Sequence, residues 1–119
     1  MKQAKTLEGC IFCQIGAGIS PAEIEYEDDY IVAFWDVSPK APIHIIVSPK
    51  EHLKSMDDVD ETHTEILGKM VLAAKKVAAK KDIDEKGYRI IFNSGPHSGQ
   101  IVEHFHLHLV GGKKLSSLV

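Results

Sequence analysis

The hydrophobic pattern changes period along the chain. Ile66, Leu67, Met70, Val71, Ala74, Val77 and Ala78 recur at helical spacing, which gathers them on one face of a helix. Asp57 to Asp60 offer N-cap candidates and negative charge ahead of that run. Lys75, Lys76, Lys80 and Lys81 gather towards its end, and both signs suit the helix dipole. The pattern predicts one long helix over about 60–81. Elsewhere the apolar stretches are short and rich in β-branched or aromatic residues. Ile24–Glu27 alternates weakly, whereas Tyr30–Trp35, Ile43–Val47, Tyr88–Phe92 and Glu103–Val110 read as strands. Ser48-Pro49 is expected to stop the third of these, and the prolines of the 36–42 segment mark a loop. Cys10 to Ile15 forms a short helix or turn closed by Gly16-Ala17-Gly18. Strands, one long helix, then strands again predict an α+β fold: an antiparallel sheet of about five strands with a helix on one face.

At 119 residues the chain fits one domain. Apolar residues make up 44% and charged residues 26%, with a net charge of −3, which is ordinary for a soluble globular protein. That balance argues against a broad nucleic-acid surface, which needs clustered Lys and Arg. It leaves room for a single nucleotide in a pocket. Met1 to Glu8 carries no apolar core of a secretory signal, and no apolar run approaches the ~20 residues of a membrane span. A cytoplasmic location without membrane contact is expected.

The segment that carries chemistry is His104-Phe105-His106-Leu107-His108-Leu109. In a strand, alternate residues share a face. The three imidazoles therefore form one row, and Phe105, Leu107 and Leu109 form an apolar row behind it. Such a row is costly to bury without partners. It suits either an H-x-H metal site or a histidine nucleophile whose neighbours orient it and move protons. The preceding Ser98-Gly99-Gln100 favours the nucleophile, because glycine lets backbone N–H groups approach a phosphate. Cys10 and Cys13 form a C-x-x-C pair, which reads as metal-binding or as two small buried hydrophobes; a redox role is weaker, with no strong strand ahead of it. His63 and His97 read as solvated surface residues.

Taken in order, Ile11-Phe12-Cys13-Gln14-Ile15, Tyr26-Glu27-Asp28-Asp29, the 33–44 segment from Ala33 to His44, Pro49-Lys50-Glu51-His52, Gly87-Tyr88-Arg89, Asn93-Ser94-Gly95, and Gly99-Gln100 ahead of the 104–112 segment resemble the histidine-triad family, most closely its Hint branch. The resemblance spans about 10–112 and implies a single such domain, paired as a homodimer whose two sheets join edge to edge. It implies hydrolysis or transfer of nucleoside monophosphate groups through a nucleotidyl-histidine, with purine nucleoside phosphoramidates preferred and no metal needed for the chemistry. Dinucleoside polyphosphate hydrolysis, or nucleotide binding with incidental turnover, are the alternatives. By position, His106 is implied as nucleophile and His108 as the phosphate contact that assists the leaving group. His104 would orient the site and His44 support it. Asp36, with Val37 beside it, would hold the ribose. Phe34, Trp35, Ile11, Phe12 and Ile15 would wall the base, and Asn93, Gly99, Gln100 and Ile101 would line the α-phosphate. Ile101 stands where the family usually carries a hydroxyl. The resemblance also implies a structural zinc site in which His52 and His104 join Cys10 and Cys13.

Overall fold

The computed structural model describes residues 9–117; the opening segment read above for a signal lies outside them. α1 (Ile11–Gly16) is followed by β1 (Ile24–Glu27), β2 (Ile31–Trp35), β3 (Ile43–Pro49), α2 (Thr64–Lys80), β4 (Tyr88–Phe92) and β5 (Leu107–Gly111). The strands make one fully antiparallel sheet in the order β1-β2-β3-β5-β4. The predicted α+β architecture is observed, and no helix among the described residues is long and apolar enough to cross a membrane.

Strand alternation gives the sheet two different faces. Ile31, Ala33, Ile45, Val47, Leu107 and Leu109 pack with Met70, Ala73, Ala74, Val77 and Ala78 of α2 in the main core. The helix thus buries the stripe that its apolar spacing defined. On the other face, Val32, Phe34 and Ile46 pack against Phe12 and Ile15 of α1. α1 covers only part of that face, and the rest holds the histidines. Glu25, on β1, ties α2 to the sheet from the side. Its carboxylate accepts Trp35 Nε1–H at 2.7 Å and meets Lys80 and Lys81 Nζ at 2.9 and 2.8 Å.

Three boundaries differ from the sequence-based expectation by more than one residue. The long helix begins at Thr64, because Glu61–His63 is a tighter 3-10 turn capped by Asp60. His63 closes that cap: its Nδ1 accepts the Asp60 N–H at 3.0 Å, and only 12% of its side chain is exposed. It is therefore not the solvated residue expected, whereas His97 is exposed. β3 continues through Ser48 to Pro49 rather than stopping at Val47. A proline fits there because it ends the strand, where its missing N–H breaks no interior ladder bond. The last strand starts at Leu107, not Glu103. Its predicted first half leaves the sheet: His104 N–H turns back to Val102 O, and Phe105 N–H donates to Leu53 O.

Candidate active site and metal centre

Although His104 and His106 precede the regular strand, the alternation persists through them. Phe105, Leu107 and Leu109 face α2 in the core, and the histidines face the other way, towards α1. The Phe12 ring lies edge-on to His106 at 5.0 Å and to His104 at 5.9 Å. His106 and His108 ring centroids are 4.9 Å apart. On β3, His44 stands beside them and completes the group.

The hydrogen bonds decide which nitrogen of each ring carries a proton. His106 Nδ1–H donates to the backbone carbonyl of His104 at 2.5 Å, which leaves the Nε2 lone pair for chemistry. His44 Nδ1 accepts the Lys40 N–H at 3.0 Å, so a neutral His44 carries its proton on Nε2. That Nε2–H donates to His108 Nδ1 at 2.8 Å, with Asp36 Oδ2 3.5 Å from His44 Nε2. His108 Nδ1 is then an acceptor and its Nε2 holds the proton. The result is a directed chain from Lys40 N–H through His44 to His108, which ends in a donor, beside a ring that ends in a lone pair. Burial keeps the group neutral. It lowers the pKa of His106 and His44, and takes His108 down to about 4 with help from the neighbouring imidazoles, Asp36 opposing.

His104 is turned differently. Its Nε2–H donates to Pro49 O at 2.8 Å, so its Nδ1 lone pair points away from the site. There it lies 3.3 Å from Cys10 Sγ, 3.4 Å from Cys13 Sγ and 3.2 Å from His52 Nδ1, with Cys13 Sγ also 3.3 Å from His52 Nδ1. A tetrahedral zinc bound by thiolate at ~2.3 Å and imidazole at ~2.0–2.1 Å has ligand-to-ligand edges of roughly 3.3–3.8 Å. The observed spacings, from 3.2 to 3.4 Å, lie at or just below the short end of that range, and the donor set of Cys10, Cys13, His52 and His104 could hold such an ion. The Pro49 carbonyl supplies the outer partner that ligating histidines require.

The remaining residues singled out by sequence spread around this centre. Phe12, Ile15 and Phe34 form a buried apolar wall with Ile46, while Trp35 faces the helix side. Ile11 is 47% exposed at the rim, and Val37 and Ile101 are almost fully exposed, at 98% and 91%. Asp36 is half-buried and accepts the Ser38 N–H at 2.8 Å. Asn93 lines a groove beside His108. Gly99 adopts φ +94° at the end of a 3-10 turn, a conformation that suits glycine. Gln100 uses its side chain to hold the loop: Oε1 accepts Gly95 N–H and Nε2 donates to Lys54 and Val102 carbonyls.

Residues 9–118 match the family model for the scavenger mRNA decapping enzyme C-term binding domain. A purine nucleoside phosphoramidase of Escherichia coli (strain K12) is 41% identical over 112 residues, covering 94% of each chain. The chain belongs to the histidine-triad family. A solved histidine-triad hydrolase from Clostridium thermocellum superposes with a TM-score of 0.92 at 42% identity, covering 96% of this chain and 99% of its own. A 14 kDa zinc-binding protein of Brassica juncea is 40% identical over 108 residues, covering 89% of this chain and 95% of its own. This histidine-triad protein is thus a hydrolase. Its triad is built as two neighbouring groups, with His104 shared between them through its ring and its carbonyl.

Proposed function

We propose that the protein hydrolyses purine nucleoside 5′-phosphoramidates, or related AMP conjugates, through a nucleotide carried on His106. The observation that carries this reading is the pairing of tautomers: a lone pair on His106 Nε2 next to a proton on His108 Nε2, each imposed by a backbone group. A nucleophile and an acid side by side are what displacement at phosphorus requires. The base sits against Phe12, Phe34 and Ile46, and Asp36 holds the ribose. His106 Nε2 attacks phosphorus as the leaving nitrogen takes the His108 Nε2 proton, and the P–N bond breaks. Water then attacks the same phosphorus, returns a proton to His108 and breaks the P–Nε2 bond, so both histidines end as they began. Loop N–H groups around Gly99 stabilise the equatorial oxygens.

Zinc in the Cys10, Cys13, His52 and His104 set has a structural part in this reading, cross-linking α1 to the segment ahead of β5. A homodimer is supported by the shape of the sheet edges. β1 is short and interrupted by a bulge between Ile24 and Tyr26, whereas β4 is a regular five-residue edge without proline, the kind of edge that seeks a partner.

Rapid quench with an adenosine phosphoramidate, followed by mass spectrometry, tests the reading. We expect a mass increase of one nucleoside monophosphate on a peptide containing His106, absent from His106→Ala, and a native mass spectrum of two chains with bound zinc. Normal turnover by His106→Ala, or an adduct elsewhere, would refute the nucleophile; a monomeric, metal-free spectrum would refute the assembly.

A further inference from the structure

The open face of the sheet is not uniform. On one side of His108 lies the apolar wall of α1. On the other side, towards the β4 edge, lies a groove of about 660 Å³ whose lining includes His44, His108, Lys40, Arg89, Lys113 and Lys114. It carries four cationic side chains in a chain whose net charge is −3. Among the described residues no carboxylate lines it and none forms an ion pair with any of the four. Unpaired cations gathered over a concave surface raise the local concentration of anions.

The sheet register places this charge relative to the chemistry. His108 lies between Ile46 and Ile91, and Val110, two residues on, lies between His44 and Arg89. With strands about 4.8 Å apart, Arg89 stands roughly 10 Å from His44 across the face. The chain leaves β5 through Gly112, at φ +92°, where an added Cβ would meet Pro42 at 2.9 Å. A non-glycine residue would be strained there, and the turn sends Lys113 and Lys114 over the groove. Arg89 Nη2–H donates to Ser116 O at 3.0 Å, which fastens the tail there without neutralising the guanidinium. Lys40 Nζ–H similarly donates to a carbonyl, that of Ser38, and among the described residues meets no carboxylate.

His108 presents its proton to the leaving group in the proposed reaction, and its ring also lines this groove; a group that extends from the leaving nitrogen on that side of His108 enters it. We infer that the groove is a leaving-group subsite for amines that carry their own negative charge, a carboxylate or phosphonate, with Arg89, Lys113 and Lys114 as its specificity residues. The inference rests on the phosphoramidase reading above. It assigns a function to the two glycines and two lysines that follow the triad, which the chemistry at phosphorus does not itself use.

The test compares kcat/KM for adenosine phosphoramidates of four amines of similar size: β-alanine, aminoethylphosphonate, the neutral β-alaninamide and the cationic ethylenediamine. The wild-type protein should favour an anionic conjugate over the neutral one by roughly tenfold, the sum of several partly exposed charge contacts, and should disfavour the cationic one. The ratio should shrink as salt is raised and fall towards unity in the Lys113→Gln/Lys114→Gln double variant and in Arg89→Gln. The lysine pair keeps the test valid if loss of the Arg89 tether disturbs folding. Equal rates for β-alanine and β-alaninamide conjugates in the wild type, or a preference that survives both variants, would overturn the subsite while leaving the reaction intact. No turnover of any conjugate, with no adduct on His106, would overturn the phosphoramidase reading itself.

Discussion

Two histidine clusters lie side by side in this molecule and are wired in opposite ways. In one, His52 and His104 turn their Nδ1 atoms inward on the two cysteine sulfurs, lone pairs converging on a common point. In the other, His44 and His108 are strung head to tail, proton to lone pair, with His106 beside them. Side-chain chemistry does not separate the two, since both are built from imidazole. The backbone does. Pro49 O takes the Nε2 proton of His104 and frees its Nδ1 for a cation. His104 O takes the Nδ1 proton of His106 and leaves its Nε2 with a free lone pair. The clusters therefore meet at one residue, and an ion bound to the His104 ring would also steady the carbonyl that holds His106.

That junction is the place where the comparison breaks most readily. With free zinc held at ~100–1,000 times its dissociation constant, a site that exists only in the folded state stabilises it by about 2.7–4.1 kcal/mol. Chemical denaturation of the wild type with buffered zinc and with chelator should show that difference, and Cys13→Ala should abolish it. Identical midpoints under both conditions, with no zinc by elemental analysis, would leave this cluster as a packing feature only.

A smaller effect is expected from the relay. His44 does not contact phosphorus in the proposed reaction; it positions the His108 proton. His44→Phe should lower kcat by roughly 10–100-fold, at or below the low end of the range for general acid catalysis because His44 acts only through His108, with KM little changed. His44→Gln, whose amide N–H can still donate to His108 Nδ1, should recover part of the loss. Equal losses in both variants, or a change confined to KM, would show that His44 only packs the site.

Much of this was legible in the chain. Strand alternation put Phe105, Leu107 and Leu109 under the helix and the histidines opposite, and that face assignment survives even where the strand does not. The helical stripe and strands β2, β3 and β4 were readable because their apolar patterns are strong, and β1 only weakly. The start of β5 was not, because His104 must bend out of the sheet to reach Cys10 and Cys13, a tertiary demand that overrides local β preference. The capping use of His63 was equally hidden: its partner, Asp60, was visible as a cap, but the reciprocal bond depends on a tight turn. Glu25 gave no signal at all, since its partners Lys80 and Lys81 are distant in sequence. The basic groove was split between a turn at Lys40, a strand at Arg89 and a tail at Lys113 and Lys114, which only the sheet brings together.

The gentlest way to separate the clusters is acid. Burial lowers the pKa of His108 from 6.5 to about 4 in the folded protein, with the neighbouring imidazoles adding to the shift, whereas the unfolded chain keeps an ordinary value near 6.5. Between those values the unfolded state binds the extra proton and the folded state does not. Stability is therefore fully present above pH ~6.5, declines as pH falls through that window, and has lost this contribution below about 4. Glu25 acts in a separate window. Burial pushes its carboxyl up, but Lys81, Trp35 and Lys80 outweigh that and hold it at about 2, so its stabilisation is lost only as pH falls below the ordinary glutamate range. Denaturation midpoints from pH 7 to 4 should thus fall more steeply for the wild type than for His108→Gln, which has no such proton to take up. Because His108 is partly exposed, solvent screening reduces the difference to about 1–2 kcal/mol over the window. Parallel curves for the two proteins would mean that folding leaves the His108 pKa where the unfolded chain has it, and that burial does not hold the relay neutral.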